Sequence, residues 1–270
     1  MIRVGTSGFK FDDWKGHFYP HEVAERDWLA FYAQRFSCLE VNSTYYRILN
    51  APTFASMARK VPQRFLFTVK AHRTMTHEVG PGTEQDFKAF VESVQPLVGE
   101  GKFGCLLAQF PNRFRNEPES RSYLLDFKSR CAGLPLVVEF RSRDWIHPET
   151  FDFLRDNDMG FCCVDEPQFR SLMPPVAEVT GSISYVRFHG RNYENWWSGD
   201  AKKRYDYLYS LDELKEWAPK IHRLHDMSSE CFVFMNNCYQ AKAATNALQF
   251  MELLGDKLFP WSSARDLFSQ

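Results

Sequence analysis

The sequence predicts a single (β/α)8 barrel of parallel strands spanning residues 1–270, and three observations carry that prediction. Short β-branched or aromatic runs of strand length alternate with longer segments whose apolar residues recur at helical spacing. The unit repeats eight times, the number at which a parallel sheet closes. Each run also ends abruptly in a charged or amide side chain, as strands do when their carboxyl ends form a barrel rim. Finally, no Gly-x-Gly-x-x-Gly turn follows any strand, which disfavours a doubly wound open sheet with its single switch point. The clearest unit is Leu136 to Trp145, reading Leu-Val-Val-Glu-Phe-Arg-Ser-Arg-Asp-Trp. Its Glu139 and Arg141 lie two residues apart and share one face of an extended segment. Two charges at a strand's exit are costly unless they pair or bind something.

Taken in order, Ile2 to Gly5 is the first strand, closed by the turn-permitting run Thr6-Ser7-Gly8. An aromatic loop, Phe9 to Pro20, holds Trp14, Phe18 and Tyr19. From Glu22 onward Trp28, Leu29, Tyr32, Ala33 and Phe36 fall on one helical face. Cys38 to Val41 is the second strand, with Glu40 and Asn42 on a common face at its end. A helix from Ala51 to Val61 starts with Pro52 in its first turn and is stopped by Pro62. Phe65 to Val69 is the third strand, exiting into Lys70, Ala71, His72 and then His77. Helix Glu84 to Val98 leads to the fourth strand, Phe103 to Ala108, which exits at Gln109 before Pro111. Helix Glu119 to Ala132 leads to the fifth strand, with Trp145 in its loop and Pro148 opening the next helix. Phe161 to Val164 is the sixth strand, ending at Asp165, and the three prolines before Gly181 leave room for only a short helix. Ser184 to Phe188 is the seventh, with Arg187 and His189 on one face. The loop Arg191 to Tyr209 carries Tyr193, Trp196 and Trp197 without periodicity and is predicted to fold over the rim. Ser210 and Glu213 form a capping box for a helix with Leu211, Leu214, Trp217, Ala218, Ile221 and Leu224 on its buried face. Cys231 to Met235 is the eighth strand, ending at Asn236 and Asn237, and Lys242 to Leu254 is the last helix.

Lys+Arg 33 against Asp+Glu 34 gives a net charge of −1, so any affinity for anions must be local, and extensive nucleic-acid contact is not favoured. The 25 phenylalanines and 7 tryptophans are read chiefly as large core residues. Seven cysteines without a Cys-x-x-Cys pair, mostly inside apolar runs, fit a reducing compartment, with Cys238 outside such a run. The N-terminus has no signal-peptide layout and no apolar segment reaches the roughly 20 residues of a membrane span, so a cytoplasmic protein is expected.

These exits also carry a family resemblance. The pieces are Gly5-Thr-Ser-Gly8 with Trp14-Lys-Gly and Phe18-Tyr-Pro20; Glu40-Val-Asn-Ser-Thr44; Val69-Lys-Ala and Thr76-His77; Gln109-Phe-Pro111; Val138-Glu-Phe-Arg141 with Trp145; Asp165; Val186-Arg-Phe-His-Gly190; Tyr207-Leu-Tyr209; and Asn236-Asn237. In this order they resemble the YecE-like family, domain of unknown function 72, across nearly the whole chain. Phe9, Phe11 and Cys238 to Ala241 depart from the family pattern. The resemblance implies a TIM-type barrel with its site at the rim, and it brings no reaction with it.

Three functions fit such a rim. The first is an enzyme for a phosphorylated or other anionic substrate, for instance a phosphodiester hydrolase. Lys70, Arg141 and Arg187 would clamp the anion, Glu139 or His189 would act as general base or acid, and Glu40 and Asp165 complete the catalytic set. Asn42, His72, Gln109 and Asn236, with Trp14 and Trp145, are further substrate-binding candidates. No cofactor is required; a divalent metal on Glu40, His72, Glu139, Asp165 and His189 is the open variant, though no His-x-x-x-His spacing supports it. The second is a carbohydrate-active enzyme pairing Glu139 with Glu40 or Asp165, with Trp14, Trp145 and Trp197 stacking on sugars. The third is a non-catalytic module for a small anion, nucleotide or nucleic-acid end. Against all three stands a self-satisfied ion-pair network that merely closes the barrel.

Overall fold

The computed structural model describes residues 1–198 and 200–261; Gly199 in the long loop and residues 262–270 lie outside the described residues. The strands are β1 (Ile2–Thr6), β2 (Cys38–Val41), β3 (Leu66–Lys70), β4 (Phe103–Gln109), β5 (Leu136–Glu139), β6 (Met159–Asp165), β7 (Ile183–Phe188) and β8 (Glu230–Met235). They pair in parallel from β2 through β8, and β8 pairs with β1. The helices are α1 (Trp28–Tyr32), α2 (Ala51–Arg59), α3 (Arg73–Thr76), α4 (Thr83–Gly99), α5 (Pro118–Arg130), α6 (Pro148–Asp156), α7 (Ala201–Arg204), α8 (Leu211–Asp226) and α9 (Lys242–Leu254). The predicted parallel barrel is therefore present, and the Ser210–Glu213 capping box opens α8 as its spacing implies.

Two local expectations fail. Residues 166–182 carry no helix, because Pro167, Pro174 and Pro175 supply no amide hydrogen and bias their predecessors out of the helical region. The first helix is also shorter than its apolar periodicity suggests, a 3-10 turn Glu25–Asp27 running into the five residues of α1.

The barrel closes between β1 and β2 through one isolated bridge, Ser7 to Glu40, reinforced by a side chain. The Tyr32 phenol accepts from the Thr6 amide at 2.9 Å and donates to the Cys38 carbonyl at 3.1 Å, so one hydroxyl splices the two strands. Gly5 is required beside it, since a Cβ there would stand 2.5 Å from the Cys38 carbonyl oxygen. The interior is a packed core. Phe232 and Phe234 lie nearly parallel, their centroids 6.0 Å apart, and Tyr185 packs against both. Gly104 makes room opposite, where a Cβ would come within 2.9 Å of the Phe232 ring. Polar side chains take over above this layer.

Candidate functional site

Alternation along the strands brings Glu40, Glu139, Arg187 and His189 together above the aromatic core, each buried. Arg187 bridges two carboxylates: Nη2 donates to Glu40 Oε1 at 2.7 Å and Nη1 to Glu139 Oε2 at 2.6 Å. Tyr185 donates its hydroxyl to Glu40 Oε2 at 2.6 Å, and Arg141 Nη2 lies 2.9 Å from Glu139 Oε1. His189 is held at both ring nitrogens. Nε2 is 3.0 Å from Glu139 Oε1, and Nδ1 is 2.9 Å from the Asn236 amide nitrogen. Since Asn236 Nδ2 can only donate, Nδ1 accepts and Nε2 carries the proton. Burial and the nearby Arg141 bring His189 down to about 3, so it is neutral at physiological pH. Burial alone would raise Glu139, but Arg187, Arg141 and His189 outweigh it and hold the carboxyl well below the usual range.

Above this floor opens a cavity of about 530 Å³. Its wall carries Lys70, Arg141, Arg187 and Arg204 as cations, the amides of Asn42, Gln109 and Asn236, and the rings of Tyr45, His77, Trp196, Trp197 and Tyr205. Among the described residues no carboxylate lines it. Lys70 Nζ donates to Gln109 Oε1 at 3.0 Å and sits 4.6 Å from the centroid of the Tyr45 ring. Burial, then the charge of Arg187, pull its ammonium down to about 7. Burial and then Lys70 lower His77 to about 4. The Nε atoms of Arg141, Arg187 and Arg204 are buried without a hydrogen-bond partner in the protein, as are Ser7 Oγ and Asn42 Oδ1. All five residues line this cavity.

The remaining candidates lie elsewhere. Asp165 faces outward, because β6 turns Cys162 inward, its sulfur 4.0 Å from Glu139 Oε2, and Cys163 and Asp165 the other way. Its carboxylate accepts from Arg191 Nη2 at 2.7 Å, the Tyr209 hydroxyl at 2.8 Å and Trp217 Nε1 at 2.7 Å. It thereby ties both ends of the loop 191–209 to α8. Gly190, at φ +89°, donates its amide to the same Tyr209 hydroxyl, and a Cβ there would meet Tyr207 at 2.8 Å. His72 caps α3 through Thr74, since the chain has already left the sheet and alternation no longer aims it inward. Trp14 and Trp145 are fully buried loop staples rather than stacking platforms. Their indole N–H groups donate to the carbonyls of Cys238 and Phe114, and Trp145 stacks on Phe140 at 4.1 Å. The metal set is accordingly not assembled, and among the described residues no three His, Cys, Asp or Glu side chains are gathered to hold an ion.

Trp196 and Trp197 do reach the cavity, as the loop's lack of periodicity suggests. The sequence places His77 only among the residues after the third strand and gives no signal for Glu166, Tyr45, Arg204 and Tyr205. Glu166 is buried, accepts from Arg141 Nη1 at 3.0 Å and from the Met173 amide at 3.1 Å, and burial raises it to about 7 against the pull of Arg141.

The family model described as "Protein of unknown function DUF72" matches residues 3–265. The UPF0759 protein YunF of Bacillus subtilis (strain 168) is 32% identical over 272 residues, covering 94% of this chain and 95% of that protein. Among solved structures, a DUF72 family protein (TM1631) from Thermotoga maritima MSB8 superposes with a TM-score of 0.86 at 39% identity, over 94% of this chain and 99% of that one. A second, EF0366 from Enterococcus faecalis V583, gives 0.84 at 29% identity, over 94% and 95%. Among the described residues no helix is long and apolar enough to cross a membrane. Sequence, barrel topology and these neighbours agree, and the chain belongs to the DUF72 family.

Proposed function

We propose that the protein acts on a small anionic, phosphate-bearing substrate at the carboxyl-terminal rim of the barrel. One observation carries this reading: Lys70, Arg141, Arg187 and Arg204 line one cavity whose wall holds no carboxylate. Cations gathered on one wall without a carboxylate among them are matched by an oxyanion, which several guanidinium and ammonium groups can share. The rings of Tyr45, Trp197 and Tyr205 suit a planar or apolar portion of the same molecule. A carbohydrate-active pair of carboxylates has less support, because both oxygens of Glu40 and of Glu139 already accept hydrogen bonds. Those same bonds shift the acid–base role away from Glu139 and His189 and toward Lys70, whose amine titrates near neutrality inside the cavity. A purely binding role differs by showing no turnover.

Phenyl sulfate tests the anion site, since its charge is constant across the working pH range. Arg204 forms no ion pair among the described residues, so Arg204→Gln removes a cation without stranding a carboxylate. It should weaken phenyl sulfate by about 1 kcal/mol in calorimetric titration, with an unchanged melting temperature. The groups facing Lys70 are Tyr45, His77, Arg141 and Arg187, with Glu40 and Glu139 below. Because Lys70 loses its proton through about pH 7 and Glu166, bonded to Arg141, gains its negative charge in the same range while His77 stays neutral, affinity should fall between pH 6 and pH 8. Absence of saturable binding would remove the anion reading.

A further inference from the structure

Lys70, half-buried on the cavity wall, differs from the buried Lys102. Lys102, 4% exposed, pairs with Glu100 at 3.0 Å and donates to the Ala58 carbonyl at 2.7 Å, so its charge is fully compensated. Lys70 has only neutral partners, the Gln109 carbonyl oxygen and the face of Tyr45, and among the described residues it forms no ion pair. Gln109 is itself fixed, its Nε2 donating to the Phe110 carbonyl at 2.7 Å, which leaves the amide oxygen aimed at Lys70. The nearby carboxylates Glu40 and Glu139 are already committed to Arg187, Tyr185, Arg141 and His189. A nitrogen so placed meets two guanidinium groups and no free anion of the protein, and it stands on a wall open to ligand. Burial and those guanidinium groups favour its uncharged form near neutrality, the state in which a primary amine attacks carbonyl carbon.

We propose that Lys70 is a nucleophile that forms an imine with the carbonyl carbon of an aldehyde or ketone carrying a phosphate or other anionic group. The proposal rests on the anion reading above, which supplies the guanidinium groups that hold the substrate's charge. In the step the Lys70 lone pair forms the carbon–nitrogen bond. The carbonyl oxygen takes up two protons, matching the two that nitrogen releases, and departs as water, with no oxidant or reductant consumed. Gln109 orients the amine by accepting one N–H, and the imine, after nitrogen takes up one proton from solvent, draws electrons from an adjacent bond. The reaction classes that follow are proton removal beside the carbonyl or cleavage of a neighbouring carbon–carbon bond.

Pyridoxal 5′-phosphate serves as the probe, since it joins an aldehyde and a phosphate on one planar ring. The intact protein would be incubated with it at pH 7.5, reduced with borohydride, digested and mapped by mass spectrometry. The expected result is a reduced adduct at Lys70 that forms at least tenfold faster than at any other lysine and is slowed by inorganic phosphate. Lys70→Arg should lose that adduct while every other lysine labels as in the wild type. If phenyl sulfate binds the wild-type protein and Lys70 remains unlabelled, the nucleophile is overturned and the anion site stands. If Lys70 labels rapidly but phosphate gives no protection, the amine stands and the anion reading falls.

Discussion

Arg187→Met should cost about 3–5 kcal/mol of folding stability, because it strips a buried cation from two buried carboxylates at once. The two partners are unequal. Glu139 retains Arg141 and His189, whereas Glu40 keeps only the Tyr185 hydroxyl. The double variant Arg187→Met/Glu40→Gln should therefore recover a large part of the loss, and urea melts of the three proteins measure it. Equal melting of the single variant and the wild type would mean that the carboxylates are solvated and that the floor is not the dry network described. The depressed Glu139 carboxyl adds a pH signature in the wild type. Its stabilising share is present above the ordinary carboxylate range and is lost as pH falls through that range toward the depressed value.

Asp165→Ala should cost about 3 kcal/mol, since it leaves Trp217 Nε1 and the Tyr209 hydroxyl without their buried acceptor. Arg191 is cushioned by Glu216, 2.9 Å away. The location of the loss is as informative as its size. Hydrogen exchange should rise first in the loop 191–209, whose two ends meet at this carboxylate, while residues of β3 and β4 stay protected. Phenyl sulfate would then bind more weakly only to the extent that Trp196, Trp197 and Arg204 lose their places. A folded Asp165→Ala protein with native exchange throughout would contradict the anchoring role.

The barrel was legible because its signals are periodic: strand-length apolar runs, helical faces and a capping box all report local geometry that tertiary packing then reinforces. The candidate site is legible only where alternation is counted from a residue that faces inward. Glu40, Glu139, Arg141 and Arg187 follow that rule and meet around the floor. On β6 the inward phase is set by Cys162 and extends to Glu166; taking the strand's last acidic residue without fixing the phase selects the outward neighbour, Asp165. His72 failed for a different reason, since alternation ends where the chain leaves β3 and turns into α3. Trp14 and Trp145 show that an indole in a loop beside the rim is as well suited to closing the loop as to touching a ligand. Arg204 and Tyr205 lie in the long loop, where no period assigns a direction to any side chain.

On the proposed function, the cationic, carboxylate-free cavity above the Glu40–Arg187–Glu139 floor is an anion site. A crystal soaked in tungstate tests it most directly, because the anion's scattering marks its position without reference to any assumed substrate. The expected result is one strong peak inside the cavity, beside the Arg141 guanidinium and at least one of Arg204 and Lys70. A peak confined to the surface groove of Lys10, Arg26 and Lys60, with the cavity unmarked, would contradict it.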